Sequence, residues 1–540
     1  MSRDGGPCQG VGVNGLEVAV LVGAVMLVGG VIAQKLRVSG PIVLLILGGA
    51  IGFIPLFDEI QLPPDLVLLL FLPAILYWES INSSLREMRR NLRVIVLQAV
   101  PLVLVTAGVV AVIGHAFGLP WSVAIALGAI VAPTDATAMA SVAGRLPRRP
   151  LTILRAESLI NDGTALAVYA VAVTASVAER TIQLGEGVLQ FVLAYAGGIT
   201  IGVAVGFVVV LIRRVLSNRL LANTLSVLTP FLVYLPAELI GVSGVVAVVT
   251  AGLVISHYTP RIVDASARTQ VFGFWGLTSY LLNGSLFVLV GLELHAVIAE
   301  IDGDWETVLT LGLLTALAVM AVRLAWSFTT PYLIRAIDRR PSQRARRVGA
   351  RQRLPIAWAG FRGAVSLAAA LALPTTVQSG EQFPGRNLII AVTTIVILVT
   401  IIVQGSTMGA IVRWARFPAD DKAEEEYRMA EDRALTAVLD ALPREADRIG
   451  APQELRDLLE REYSERLDEF RRQGDDLDDR ADGDDVDREG PLRLALLTIK
   501  RETVIGLRDR GEIDDAVMRR IQSRIDLEEL RLSRSMPDEG

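Results

Sequence analysis

Ser158 and Asp162 stand four residues apart in RAESLINDGTALAVYAV, and Glu157 and Asn161 repeat that spacing one position earlier. Residues four apart share a face of a helix. One stripe therefore carries a hydroxyl and a carboxylate, and the adjoining stripe a carboxylate and an amide. Oxygen donors of this kind suit a small hard cation. A second set lies in ALGAIVAPTDATAMASV, where Pro133 directly precedes Thr134 and Asp135. Proline removes a backbone donor and crowds the preceding turn, so irregular backbone at this point frees carbonyls beside Asp135. Glu79 closes FLPAILYWES, and Glu238, Glu293, Arg323 and Arg362 stand in or near other apolar runs. A charge at the centre of a bilayer costs ~2.5–3.5 kcal/mol on insertion scales, which makes each such residue a functional candidate. The chemistry open to this set is reversible binding of a cation, with protons competing for the same carboxylate.

The elements that must hold these groups are long and apolar. The chain has 540 residues, of which 52% are hydrophobic and 20% charged. Its charge is unevenly placed. Residues 417–540 hold 36 acidic and 22 basic side chains, whereas residues 1–416 hold 21 acidic and 30 basic ones. An apolar, basic body thus precedes an acidic tail, which excludes a wholly soluble enzyme and a wholly disordered chain. A bilayer-crossing helix needs ~20 mostly apolar residues. Thirteen candidates follow: 14–34, 41–57, 64–81, 92–115, 121–144, 151–178, 186–212, 220–240, 242–258, 271–299, 305–336, 354–377 and 386–414. Alternate connections between them carry 23 Arg or Lys against three, Arg3, Arg180 and Arg386. Basic loops stay cytoplasmic, so the N-terminus is expected outside and the C-terminus in the cytoplasm. Cys8 is the only cysteine, which leaves no internal disulfide and no cysteine-based metal site.

Two spans carry signs of interruption. The fifth contains Pro133, and the twelfth contains Gly360 and Gly363 around Arg362. They are seven spans apart, so each is the fifth span of a six-span half. An odd offset puts the two halves in opposite orientation. Paired broken helices in matching positions of inverted halves are a pointer to an ion site in a secondary transporter. The expected fold is an all-α polytopic membrane protein of about thirteen transmembrane helices, in two inverted six-helix repeats with broken crossing helices. It occupies residues 1–416, and a charged helical cytoplasmic tail occupies 417–540.

PTDATA, ESLINDGTAL, ELIGVSGVVAVVTAGL and GFRGAVSLAAALALP, in that order, resemble the NhaP-type monovalent cation/proton antiporters, relatives of the animal sodium/proton exchangers. The resemblance covers about 1–416. It implies that Asp162 is the cation- and proton-binding carboxylate and that Ser158 and Glu79 contribute ligands. It further implies a ligand from the Thr134 carbonyl and an Asp135 that acts through water or behind the ligands. Glu157 would be held by an arginine, either Arg323 or Arg362. Asn161-Asp162, where some relatives have Asp-Asp, implies electroneutral exchange of one cation for one proton. The family is dimeric, and no cofactor is implied. Tyr77-Trp78 precede Glu79 where relatives often show Leu-Phe, a departure at that ligand.

These readings combine into one mechanism. Asp162 holds a proton on one visit and a cation on the next, so its charge is neutralised in both loaded states. An empty, ionised site is costly to carry across hydrocarbon, which suppresses slippage. The expected protein is a sodium/proton antiporter of a bacterial plasma membrane, acting on Na+ first and on K+ or Li+ as alternatives, and serving pH homeostasis. Its partners are the lipid bilayer, a second copy of the chain, monovalent cations and protons, with no nucleic acid. The rival readings are a cation channel and a proton-coupled symporter of a small solute. A third, more remote, is an intramembrane serine protease suggested by Gly241-Val242-Ser243-Gly244 with His257. His115, His257 and His295 lie near span ends and read as interfacial. In the tail, 422–473 reads as two amphipathic helices parted near Gly450, and two more follow an acidic linker that begins at Asp475.

Overall fold

The computed structural model describes residues 15–36, 38–54, 67–135, 148–180, 184–216, 218–300, 305–337, 349–417, 421–473 and 486–535. Cys8, the last nine residues of the fifth candidate span (136–144), most of the basic loop before Gly349 and most of the acidic linker lie outside them. The described residues are helical apart from turns and one isolated antiparallel bridge between Thr376 and Gln382.

In chain order the membrane helices are α1 (Gly15–Leu36), α2 (Gly40–Gly52), a π turn (Val67–Phe71) that runs into α3 (Leu72–Ile81), and α4 (Leu85–Ala116). Then come α5 (Trp121–Val131), α6 (Arg148–Val177), α7 (Leu184–Val215), α8 (Arg219–Leu239), α9 (Gly244–Ile262), α10 (Ala265–Glu300) and α11 (Trp305–Ile337). The short pair α12 (Ala350–Trp358) and α13 (Ala364–Leu371) precedes α14 (Arg386–Ala415). Nine helices among the described residues are long and apolar enough to cross a membrane: α1, α4, α6 to α11 and α14. The four remaining expected spans fall on shorter pieces: α2, the π turn with α3, α5, and the α12–α13 pair.

Their sequences explain how these helices pack. Hydrocarbon gives no hydrophobic drive between helices, so small residues that let backbones approach carry the contacts. A Cβ at Gly202 of α7 would fall 2.4 Å from the Ala247 carbonyl oxygen of α9. One at Gly128 of α5 would fall 2.2 Å from the Ala107 oxygen of α4. The outer faces stay apolar, as at Leu193, Leu211 and Leu235, which are exposed. Ser84 caps α4 by accepting a hydrogen bond from the Glu87 backbone N–H at 3.2 Å, the S-x-x-E pattern of a helix start.

The chain divides into two compact units. The larger holds 1–212, 224–257 and 274–417, and the smaller holds 213–223, 258–273 and 418–540. Within the smaller unit the tail forms four helices, α15 (Asp421–Ile449), α16 (Gln453–Gln473), α17 (Val486–Arg510) and α18 (Asp515–Ser535). Their apolar faces meet in two clusters. Tyr427, Leu497, Val504 and Ile521 anchor one, and Leu442, Leu459, Tyr463 and Leu496 the other. Lys500 and Glu431 form a buried ion pair between α17 and α15. The end of α9 and the start of α10 belong to the same unit. Arg268 makes two 2.8 Å hydrogen bonds to the Asp526 carboxylate, and its Nη1 donates to the Val263 carbonyl at 3.0 Å.

Candidate functional site

The backbone leaves the helix on both sides of one crossing. α5 stops at Val131, and residues 132–135 are not helical. α12 stops at Trp358, residues 359–363 are not helical, and α13 begins at Ala364. The two interruptions touch: the Asp135 backbone N–H donates to the Phe361 carbonyl at 2.7 Å. Unwinding leaves helix-end carbonyls without partners, and side chains take them up. Arg362 Nε donates to the Val131 carbonyl at 2.9 Å, and its Nη1 donates to Gly360 O. The Asp135 carboxylate lies against Gly363, where a Cβ would fall 1.8 Å from Oδ2. A cation thus sits at the C-terminal end of α5 and an anion at the N-terminal end of α13. Both placements are favoured by the helix dipoles.

α6 passes this crossing with the face that the fourfold spacing singled out. Thr134, Ser158, Asn161 and Asp162 are all buried. The Ser158 hydroxyl donates to the Thr134 carbonyl, and Asn161 Nδ2 donates to Thr134 Oγ1 at 3.2 Å. Asn161 Oδ1 is buried and has no hydrogen-bond partner among the described residues. Glu79, at the end of α3, and Asp135 both lie within electrostatic reach of Asp162, and Arg155 lies within reach of Glu79. The site therefore gathers three carboxylates, two hydroxyls, an amide and a freed carbonyl, an oxygen-rich set of the kind that takes a hard cation. α9 closes on it closely. A Cβ at Gly252 would lie 2.5 Å from Ser80 Cβ, next to Glu79.

Glu157 points to a different partner. Arg323 Nη1 of α11 stands 3.0 Å from Glu157 Oε1, with both side chains buried. Arg362 is occupied by carbonyls instead. Arg323 also packs on the second break, since a Cβ at Gly360 would fall 2.6 Å from its Cδ.

Sequence reasoning did not find the Phe361 carbonyl, the Val131 carbonyl or Gly252, because each enters through tertiary crossing. The tight TAGL within ELIGVSGVVAVVTAGL was the one available signal for Gly252. Among the remaining candidates, Glu238 accepts the Gly244 N–H at 3.0 Å at the end of α8, away from Asp162. His115 bonds the Leu119 carbonyl at 2.9 Å and stacks on Trp121. The side chains of Glu293 and His295 lie outside the described set. The protease reading loses its geometry. Ser243 Oγ accepts the Val246 N–H at 3.3 Å as a helix cap, following Gly241 at φ 78°. His257 lies 14 residues along the same helix, ~21 Å away at 1.5 Å per residue.

Comparison with known proteins gives the family. Residues 22–414 match the family described as sodium/hydrogen exchanger, transmembrane. A protein of Mycobacterium tuberculosis named as an uncharacterized Na(+)/H(+) exchanger is 45% identical over 527 residues, covering 96% of each chain. The sodium, potassium, lithium and rubidium/H(+) antiporter of Bacillus pumilus is 30% identical over 377 residues, covering 67% of this chain and 56% of its own. The solved sodium proton antiporter MjNhaP1 of Methanocaldococcus jannaschii, 20% identical, superposes with a TM-score of 0.59 over 74% of this chain and all of its own, a likeness of fold. The chain belongs to the sodium/hydrogen exchanger family, a family of monovalent cation/proton antiporters.

Proposed function

We propose that this member of the family exchanges a monovalent cation for a proton, one for one, by letting the two compete at Asp162. The observation that supports this most directly is the set around the α5 break. Ser158 and Asn161 hold Thr134 in place, and Asp162 is buried one turn from Ser158 with Glu79 and Asp135 within electrostatic reach. Asp162, Ser158, Thr134 and Glu79 would hold the ion, and Asp135 would act from behind them. An ionised carboxylate there is expensive to move through hydrocarbon, whereas a proton or a monovalent cation neutralises it. Only loaded states then cross. Asn161 stands where some relatives carry a second Asp, and that Asn-Asp pair favours electroneutral exchange. Sodium is the leading substrate because related proteins carry that name, and potassium and lithium follow from the Bacillus relative.

The same reading takes the short helices α2, α3, α5 and the α12–α13 pair as spans. That gives thirteen in two inverted halves, with the N-terminus outside and the tail inside a bacterial plasma membrane. It takes the working assembly as a homodimer.

The test is proton flux in proteoliposomes carrying an internal pH dye, with sodium, potassium, lithium or choline added in turn. Valinomycin with potassium clamps the voltage. Cation-dependent proton movement that is absent with choline, absent in Asp162→Asn and indifferent to the clamp is the expected result. Exchange retained in a folded Asp162→Asn protein, or cation flux without proton movement, overturns the reading.

A further inference from the structure

Asp162 needs a way out at each end of the membrane, and one polar row leads away from it. Tyr169 lies seven residues beyond Asp162 on α6, two turns along the same stripe and ~10 Å up the axis. It is 5% exposed, and its hydroxyl has no hydrogen-bond partner among the described residues. A buried hydroxyl left unpaired costs the full desolvation of that group, so a side chain kept this way in an apolar helix calls for a use.

Tyr169 is within electrostatic reach of Tyr234 on α8, which is 4% exposed. The Tyr234 hydroxyl hydrogen-bonds the Glu238 carboxylate one turn further on. Glu238 is exposed and also accepts the Gly244 N–H at 3.0 Å. The start of α9 presses on this pair, since a Cβ at Gly244 would fall 2.7 Å from Tyr234 Cδ2 and 2.9 Å from Glu238 Oε1. The row therefore runs from an exposed carboxylate through two buried phenols toward Asp162. Its sidedness follows from the proposed topology: the basic start of α8 at Arg219 faces the cytoplasm, as the tail does, and Glu238 is 19 residues further along the helix, ~29 Å away. One opposing charge faces the row. Arg386 is within electrostatic reach of Tyr169, and its guanidinium donates to the Leu371 and Leu373 carbonyls at 3.3 and 3.1 Å. A cation passing Tyr169 meets that repulsion, which a carboxylate at the mouth offsets.

We propose that Glu238, Tyr234 and Tyr169 line the route by which the transported cation reaches Asp162 from the end of the spans opposite the tail. Glu238 gathers the cation at the mouth, and the Tyr169 hydroxyl oxygen is its last ligand before Asp162. The idea rests on Asp162 being the exchange site.

The experiment uses the full chain in vesicles of both orientations, the tail side being identified by protease access to the tail. A carboxylate at the mouth of a narrow path raises the local cation concentration. Glu238→Gln should therefore raise half-saturating sodium about three- to ten-fold when sodium is added opposite the tail, and leave it unchanged from the tail side. An equal shift from both sides, or none, overturns the proposal. Access is read separately with Tyr169→Cys in a Cys8→Ser background, treated with a membrane-impermeant cationic thiol reagent. Modification from the side opposite the tail, slowed by saturating sodium, is expected. Modification only from the tail side, or from neither, overturns it. If Tyr169→Cys does not fold, the sidedness of Glu238→Gln still decides. Asp162→Asn is measured in the same vesicles. Exchange that survives there ends the antiport reading, whereas loss there without sidedness at Glu238 ends only the route.

Discussion

At the scale of single residues, the buried arginines Arg323 and Arg362 divide their work. The sequence places Arg323 and Arg362 equally well as partners of Glu157, because nothing in chain spacing reports which helix crosses α6 at that height. The fold puts Arg323 3.0 Å from Glu157, 166 residues away in sequence, and spends Arg362 on the carbonyls of Val131 and Gly360. By contrast, the grouping of Ser158, Asn161 and Asp162 was legible, because a fourfold spacing on one helix is a local property. Deleting one member of a buried ion pair leaves the other uncompensated and costs ~3–5 kcal/mol. Among the described residues no ion pair fixes Asp162, and Asn fills its space. Glu157→Ala should accordingly lower the melting temperature of the detergent-solubilised protein well below that of Asp162→Asn. Asp162→Asn should abolish exchange at near-normal stability. Equal melting temperatures for the two variants would argue against a structural pair.

At the scale of elements, both breaks announce themselves by residue type. Pro133 follows the last helical turn of α5, and Gly360 and Gly363 flank the gap between α12 and α13. What spacing could not give is that the gaps meet, with Asp135 bonded to Phe361. Hydropathy also merged α12 and α13 into one run and hid the π turn before α3, since apolar content does not register where a helix stops. The meeting makes a sharp prediction. Gly363→Ala puts a methyl carbon 1.8 Å from Asp135 Oδ2, a separation no packing tolerates, so the carboxylate must leave the start of α13. Exchange should fall at least ten-fold, with membrane insertion intact. Gly405→Ala on α14 is the control. Its nearest neighbour is Phe361 Cε1 at 3.8 Å, an ordinary contact, and exchange should be unchanged. Normal exchange in Gly363→Ala would show that Asp135 has no positional role.

At the scale of the whole chain, the charge contrast between residues 1–416 and 417–540 predicts a membrane body and a charged tail, and the amphipathic patterns predict the four helices that the described tail residues form. It does not foretell how the tail helices depend on one another. Reading the tail as pieces along the chain suggests that removal from about residue 475 spares basal transport. The packing argues for a different cut. Tyr427, Ala430 and Ala434 of α15 are buried in the same cluster as Leu497 and Val504 of α17 and Ile521 of α18. Lys500 reaches back from α17 to pair with Glu431. Ending the chain at Gly474 therefore uncovers the apolar faces of α15 and α16 and leaves Glu431 without its cation. Burial contributes ~25 cal/mol per Å² of apolar surface, so half a module is worse than none. A chain ended at Phe417 exposes no such face of α15, because α15 itself is gone. It also removes Asp526, and Arg268 loses the carboxylate that holds it at the start of α10. That chain should be recovered from membranes in greater yield, and with a sharper melting transition, than the chain ended at Gly474, and it should retain cation-dependent proton movement. Equal recovery of the two would mean that α15 and α16 fold without α17 and α18. Complete loss of exchange on ending at Phe417, in a protein that still melts cooperatively, would make the tail part of the transport cycle.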